Sequence, residues 1–508
     1  MFSKITSCAL FGLDGNKIDV ETDISNGMPA FDIVGLPDSA VKESKERVKT
    51  AIKNSGIIFP IKRITINLAP ADIKKEGPSF DLPIAVGVLV CAGIIDNKNT
   101  DGFMITGELS LDGTIKPING ILPMVSYLYD KGIKNFIVPF DNRNEAALVK
   151  NANIFPIKNL TELIDFFKNT SKASPYICNS SIYDIENTYP DFCDVKGQEN
   201  VKRAAEVAAA GYHNILMSGP PGSGKTMIAK RIPSIMPKLS FDESIKITKI
   251  YSIAGLLKNK DYLIKERPFR APHHTISSTA LAGGGRIPKP GEVSLATGGI
   301  LFLDELPEFQ RNSLEVLRQP LEDKKVTISR AQGTLTYPAD FMLVAAMNPC
   351  PCGYYGENNR CRCTTNEIVK YHNKISGPLL DRIDIQVDVS PVNYYDLDSN
   401  IKSESSEEIR KRVINAHIIQ QERFKNDNIT FNSQMTPSQI DKYCVLGEKE
   451  KSIMKKAFDN LNLSARGYHK ILKLARTIAD LDNSENINVK HIAEAIQYRN
   501  LDRNYFQI

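Results

Sequence analysis

Apolar positions along this chain recur with two periods, and the period predicts the element. Residues 39–54 (SAVKESKERVKTAIKN) are polar, with Val41, Val48 and Ile52 spaced along one face of an amphipathic helix. Residues 79–95 are almost continuously apolar and read as a second, buried helix. The runs AFDIVG (30–35), ITINLA (64–69) and FIVP (136–139) read as strands. Together they predict a compact α+β domain over residues 1–170. Further on, residues 215–217, 299–303, 341–347 and 385–389 form short, unbroken apolar runs. Such runs suit strands buried on both faces, as in a parallel sheet. Leu314, Leu317 and Leu321 give residues 313–321 helical spacing, and VTI (326–328) and TLT (334–336) flank a polar tip holding Arg330, a β-hairpin pattern. From residue 400 onward the pattern is helical, over 405–424, 449–461 and 468–481.

Length and composition narrow the class. A chain of 508 residues predicts two to four domains, and 42% apolar with 24% charged residues is ordinary for globular proteins. Residues 171–190 (SKASPYICNSSIYDIENTYP) are polar, with two prolines, and read as a linker. The net charge of +5 leaves nucleic-acid contact to local basic surface. Residues 1–14 lack a basic region followed by an apolar core, and the longest apolar stretch, 82–95, is interrupted by Pro83 and two glycines. The expectation is a cytoplasmic protein without a membrane span.

The sharpest chemistry lies at Gly219-Pro220-Pro221-Gly222-Ser223-Gly224-Lys225-Thr226, which fits G-x-x-x-x-G-K-[ST] between a strand and a helix. Glycines let the backbone curl so that its N–H groups point at phosphate oxygens, and the following helix adds the positive end of its dipole. Lys225 would reach the β- and γ-phosphates, and the Thr226 hydroxyl would hold Mg²⁺. The run 299–303 ends in Asp304 and Glu305, at the carboxyl end of a strand where open α/β sheets bind ligands. Asp304 suits the Mg²⁺ shell and Glu305 the attacking water, against a helix-capping role for Asp304. ATP binding and hydrolysis follow as expectations.

Around this site several side chains offer further chemistry. Asn348 ends the run 341–347, where an amide orients water or contacts the γ-phosphate, or merely turns the chain before Pro349. Arg382 in GPLLDRID is a candidate arginine finger supplied to a neighbouring subunit, or pairs with Asp381 or Asp384. Arg466 opens a helix from which a lid could fold it onto the phosphates. The interval between Lys225 and Asp304 is long for one strand–helix–strand step and holds LAGGGRIPKP, a loop with a basic edge from Arg270, Arg286 and Lys289. Four of the nine cysteines form two C-x-C pairs, Cys350/Cys352 and Cys361/Cys363. They suit a tetrahedral Zn²⁺ site, with a redox-sensitive pair or unliganded thiols as alternatives; Arg360 and Arg362 would favour thiolates.

Two resemblances add to this reading. EGPS (76–79), TGEL (106–109) and LDGTIKPING (111–120) resemble the proteolytic domain of Lon proteases, which places Ser79 at the nucleophile's position. Leu122 stands where that family has its lysine, and Lys116 is in another register, so a peptidase lacks its general base and a retained scaffold is expected. RAPHHTIS, LFLDE, MNPCPCG, SGPLLDRID and ARTIADL, over essentially the full length, resemble the ComM/YifB family of magnesium-chelatase-like AAA+ ATPases. The resemblance implies an α/β fold: a Lon-protease-like α+β domain (1–170), the linker, a P-loop AAA+ parallel-sheet core (191–392) and an all-helical lid (393–508). It further implies Asn348 as sensor 1, Arg382 as arginine finger, Arg466 as sensor 2, and D-x-x-G-Q (194–198) flanking the adenine. A hexameric ring acting on single-stranded or branched DNA, as in branch migration during natural transformation, is its functional expectation. A metal-chelatase-type or remodelling ATPase acting on protein partners is the alternative, and an ATP-regulated protease a third.

Overall fold

The computed structural model describes residues 1–168, 173–177, 189–257, 262–285, 288–330, 333–356, 360–391, 403–461 and 463–499. Two compact units emerge: Met1–Asp184 with Phe241–Ile264, and Ile185–Ser240 with Lys265–Ile508.

The first unit is built on a seven-stranded sheet in the order Ala30–Val34, Arg63–Ala69, Asp14–Ser25, Phe2–Phe11, Phe103–Ile105, Asn135–Pro139, Asn153–Ile157. Its two longest strands, Phe2–Phe11 and Asp14–Ser25, pair antiparallel and are not among the expected elements. Their inward positions include fully buried Ser3 and Ser7, so the apolar period is hidden by small polar residues. Ser3 is satisfied there by donating to the Gly87 carbonyl at 3.1 Å. Gly87 is needed because a Cβ would lie 2.3 Å from the Thr22 hydroxyl. The helix Ser39–Asn54 forms as the spacing predicts, with Asp38 capping it by accepting from the Val41 N–H at 2.8 Å and Val41, Val48 and Ile52 buried. The buried helix is Asp81–Cys91, after a short 3₁₀ turn Pro78–Phe80.

Residues 241–264 fall within the expected ATPase core, yet they fold with the first unit. Their helix Phe241–Ala254 packs on the helix Ile121–Asp130, with Lys249 donating to the Ser126 hydroxyl at 2.7 Å and Ser252 donating to the Glu145 carboxylate. Leu263 joins Leu122 and Leu148 in a small apolar cluster. Burial of these side chains against the first unit is what assigns the segment there.

The second unit carries a parallel five-stranded sheet in the order Phe269–Arg270, Ile300–Leu303, Met342–Met347, Ile215–Ser218, Ile385–Asp388. The three inner strands are buried along their whole length, as unbroken apolar runs require. The C-terminal helices Ser406–Arg423 and Ala465–Leu481 pack with the helix Glu199–Gly211, so sheet and helical region share one core. Asp384 bonds this region together: burial opposes its ionisation, yet Lys470 at 3.2 Å and His213 at 3.6 Å hold its carboxyl far below the usual range. Residues 313–321 form two short helices, Arg311–Glu315 and Arg318–Asp323, in place of the single one expected. The β-hairpin pairs Lys325–Arg330 with Gly333–Pro338. The expected linker lies largely outside the described residues, and no helix among them is long and apolar enough to cross a membrane.

Candidate nucleotide site

Three neighbouring strands deliver the site. Gly219 follows Ile215–Ser218, Asp304 follows Ile300–Leu303, and Asn348 follows Met342–Met347, so all three emerge at the carboxyl edge of one parallel sheet. The loop needs its glycines. A Cβ at Gly219 would lie 2.3 Å from the Val389 carbonyl oxygen, while Gly222 and Gly224 have φ of +79° and +90°. Gln198 braces the loop by donating to the carbonyls of Ser223 at 3.1 Å and Ser390 at 2.6 Å.

Lys225 opens the helix Lys225–Ala229 and is buried. Its ammonium donates to the carbonyls of Gly219 at 2.6 Å and Pro220 at 2.9 Å, and to Asn348 Oδ1 at 3.2 Å. Burial lowers its pKa from the ordinary lysine value, and Asp304 and Glu305 oppose that shift. Asn348 is therefore a partner of the phosphate-loop lysine as well as a strand-end turn. The Thr226 hydroxyl donates to Asp304 Oδ2 at 2.7 Å. Adjacent oxygens of an octahedral Mg²⁺ shell lie roughly 2.9 Å apart, so this pair fits two neighbouring positions of that shell. Asp304 does not cap a helix; its other oxygen accepts from the Glu305 N–H at 3.0 Å.

Glu305 turns off the strand with a left-handed φ of 52°, which leaves its carboxylate half exposed. His274 Nδ1 lies 3.3 Å from it, and the His274 ring packs against His273 and Phe309. That neighbour was visible only as part of the RAPHHTIS motif; pairing it with Glu305 takes the fold.

The two arginines gather elsewhere. Arg382 bonds the Glu322 carboxylate and donates to the Pro378 carbonyl at 2.7 Å, and Arg466 donates to the same Glu322 at 3.1 Å. Neither Asp381 nor Asp384 is the partner of Arg382. The cleft they line with Glu322, His469, Lys470 and Lys473 contains no residue of the loop 219–226. Arg466 is thus brought beside Arg382, and not onto this chain's phosphate loop. Glu322 carried no motif that could have announced it.

The four cysteine sulfurs all lie within 4.8 Å of one another. Four sulfurs around Zn²⁺ at about 2.3 Å lie roughly 3.8 Å apart. The Cys350–Cys361 and Cys352–Cys361 separations of 3.8 and 3.6 Å match that, with Cys350–Cys352 at 3.3 Å. Burial pushes the Cys350 thiol up to about 12. At Cys352 burial acts the same way, but the N–H groups of Tyr354 and Arg362 outweigh it and bring the thiol to about 6. Backbone donors therefore lead where the guanidinium groups of Arg360 and Arg362 were expected to; Arg360 lies over the Tyr354 ring.

The remaining expectations divide. Arg270 is neutralised by Glu292 at 2.6 Å and so does not supply the loop's basic edge. Lys289 is exposed beside a two-residue ladder of Gly283–Gly284 with Lys289–Pro290, whereas Arg286 and the Arg330 side chain lie outside the described residues. Ser79 is nearly buried, and among the described residues no hydrogen bond joins its hydroxyl to a lysine. Leu122 is fully buried in the cluster with Leu148 and Leu263, and Lys116 is exposed on its own strand.

Comparison with known proteins gives the family. The family described as "Magnesium chelatase, subunit ChlI" matches residues 191–397, "Subunit ChlI of Mg-chelatase" matches 20–142, and "Magnesium chelatase, subunit ChlI C-terminal" matches 403–499. The chain is 42% identical over 507 residues to "Competence protein ComM" of Haemophilus influenzae, covering 98% of this chain and 97% of the relative. It is 41% identical to YifB of Salmonella typhimurium, over 97% of this chain and 96% of the relative. Over 130 residues it is 32% identical to Lon protease 2 of Bacillus subtilis, which covers 25% of this chain and 23% of that protein. With the parallel five-stranded sheet, the phosphate loop and 42% identity over 98% of its length in hand, the chain belongs to the ComM/YifB family of magnesium-chelatase-like AAA+ ATPases.

Proposed function

We propose that this protein is a ring-forming motor that hydrolyses ATP to move DNA, in the manner of branch migration. The observation that supports the ATPase part is the Thr226–Asp304 bond beside the Lys225–Asn348 bond, an arrangement suited to a metal ion and a phosphate chain. Mg²⁺ held by Thr226 and Asp304 would supply charge neutralisation on the phosphates. Lys225 and the loop N–H groups bind and orient the triphosphate, Glu305 accepts the proton of the attacking water, and Asn348 positions Lys225. Arg382 and Arg466 share Glu322 on a face away from the loop, which supports their delivery to a neighbouring subunit's phosphates.

DNA as the polymer is supported by the relationship to a competence protein and by the hairpin 325–338 with Arg330 at its end. The four cysteines are read as a structural zinc site. ATP turnover and branch migration measured with and without DNA junctions test the proposal. Stimulation that falls with salt supports it; a monomer that hydrolyses no ATP with any DNA overturns it. The chelatase profiles favour a second reading, an ATPase acting on a protein partner. It predicts turnover indifferent to DNA and raised by a co-purifying protein.

A further inference from the structure

We infer that the four-cysteine segment is a metal-set brace for the phosphate loop, so that ATP use depends on a second, thiolate-bound metal distinct from Mg²⁺. The inference rests on the zinc and ATPase readings above and adds a mechanical role. Its basis is a contact between Gly353 and Pro221. Gly353 follows Cys352 directly, has φ of +87°, and closes a turn by donating to the Cys350 carbonyl at 3.0 Å. A Cβ on Gly353 would lie 2.6 and 2.8 Å from Cδ and Cγ of Pro221, and 3.9 Å from Cγ of Asn348. The cysteine turn therefore touches the phosphate loop at Pro221, where a Cβ on Gly353 would clash with the ring.

Asn348 is joined to the same turn through Pro349 and fully buried Cys350, and it holds Lys225. On the far side His372 bonds the Pro349 carbonyl at 3.0 Å, and Thr364, next to Cys363, caps the helix Thr365–His372. Between the strand Met342–Met347 and that helix the described residues form no further helix or strand. Four thiols within 4.8 Å are then the cross-link that keeps the turn in place. Soft thiolates select Zn²⁺ over the hard Mg²⁺ of the nucleotide site, so the two metals do not compete. Metal binding contributes folding free energy to such a loop, and its loss releases Gly353 from Pro221 and Asn348 from Lys225.

The test uses the full-length protein, with zinc content by elemental analysis, ATP turnover in excess Mg²⁺, and the ATP-induced rise in melting temperature. The parent is expected to hold about one zinc per chain. The Cys361→Ser/Cys363→Ser double variant loses the metal, the melting shift and roughly tenfold or more of turnover. Gly353→Ala keeps all four thiols and the zinc, yet loses turnover and the ATP-induced shift; this arm decides even where the cysteine variant does not fold. No zinc after incubation with Zn²⁺ overturns the inference. So does a zinc-free chain, or Gly353→Ala, with parental turnover and shift. A parent protein that turns over no ATP defeats the ATPase reading instead, and the metal content and nucleotide-induced shift still judge the brace.

Discussion

Glu305→Gln separates binding from chemistry in this site. The substitution keeps the side chain's shape and removes its capacity to take a proton. Its carboxylate is half exposed, and its ion-pair neighbour among the described residues, His274 at 3.3 Å, is itself a third exposed. A pair so open to solvent contributes about 0–1 kcal/mol, so the fold should be unaffected. In the proposed reading triphosphate binding rests on the loop, Lys225 and the Thr226–Asp304 pair, none of which bonds the Glu305 side chain. Nucleotide affinity should therefore stay within roughly threefold of the parent. Turnover should lose the proposed general base, worth about 10²–10⁴-fold, or about 3–5 kcal/mol of barrier. Titration with a fluorescent ATP analogue and phosphate release at saturating ATP read the two quantities separately. Turnover above roughly a tenth of the parent's would refute the role of Glu305, and a large loss of affinity would mean that Glu305 shapes the pocket.

Arg382→Ala should lose about 10³-fold or more of turnover alone but regain it when mixed with Lys225→Ala subunits, which contribute the intact arginine; mixtures as inactive as either variant would place the arginine in cis. Leu122→Ala should destabilise the first unit by about 2–5 kcal/mol through a cavity beside Leu148 and Leu263, read by denaturant unfolding, and a loss under about 1 kcal/mol would mean the cluster does not anchor residues 241–264. Burial raises the Glu145 carboxyl above its ordinary value of 4.5. Its stabilising contribution is then full below that value and is lost as pH rises through the folded value. Glu145→Gln should remove this slope, so the melting-temperature difference, variant minus parent, should grow from about pH 5 to about pH 8; a constant difference would show that Glu145 is not the titrating group.

The chemistry at the sheet edge was legible because it constrains residue identity. The left-handed turns of the loop need glycine at Gly222 and Gly224, and the acid expected at the strand's end is found at Asp304, bonded by Thr226. Elements announced by apolar spacing, such as Ser39–Asn54 and the inner strands of the parallel sheet, formed where the spacing put them. Spacing failed where buried positions carry polar side chains: Ser3 and Ser7 face the core of the first unit, and their strand showed no apolar alternation. It failed again at residues 313–321, where two short helices replace one.

Local pattern thus determined the phosphate loop, the acidic strand, the sheet that presents them and the clustered thiols, since each depends on neighbours in the chain or on residue types that the chemistry demands. Tertiary structure alone decided what those groups meet. It put Asn348 on Lys225, His274 beside Glu305, Arg382 and Arg466 on Glu322, Arg270 on Glu292, and Gly353 against Pro221. It also folded Phe241–Ile264 into the first unit. These are long-range pairings of exposed, charged or small residues, and no hydrophobic period encodes which partner a carboxylate or a glycine will face once the chain is packed.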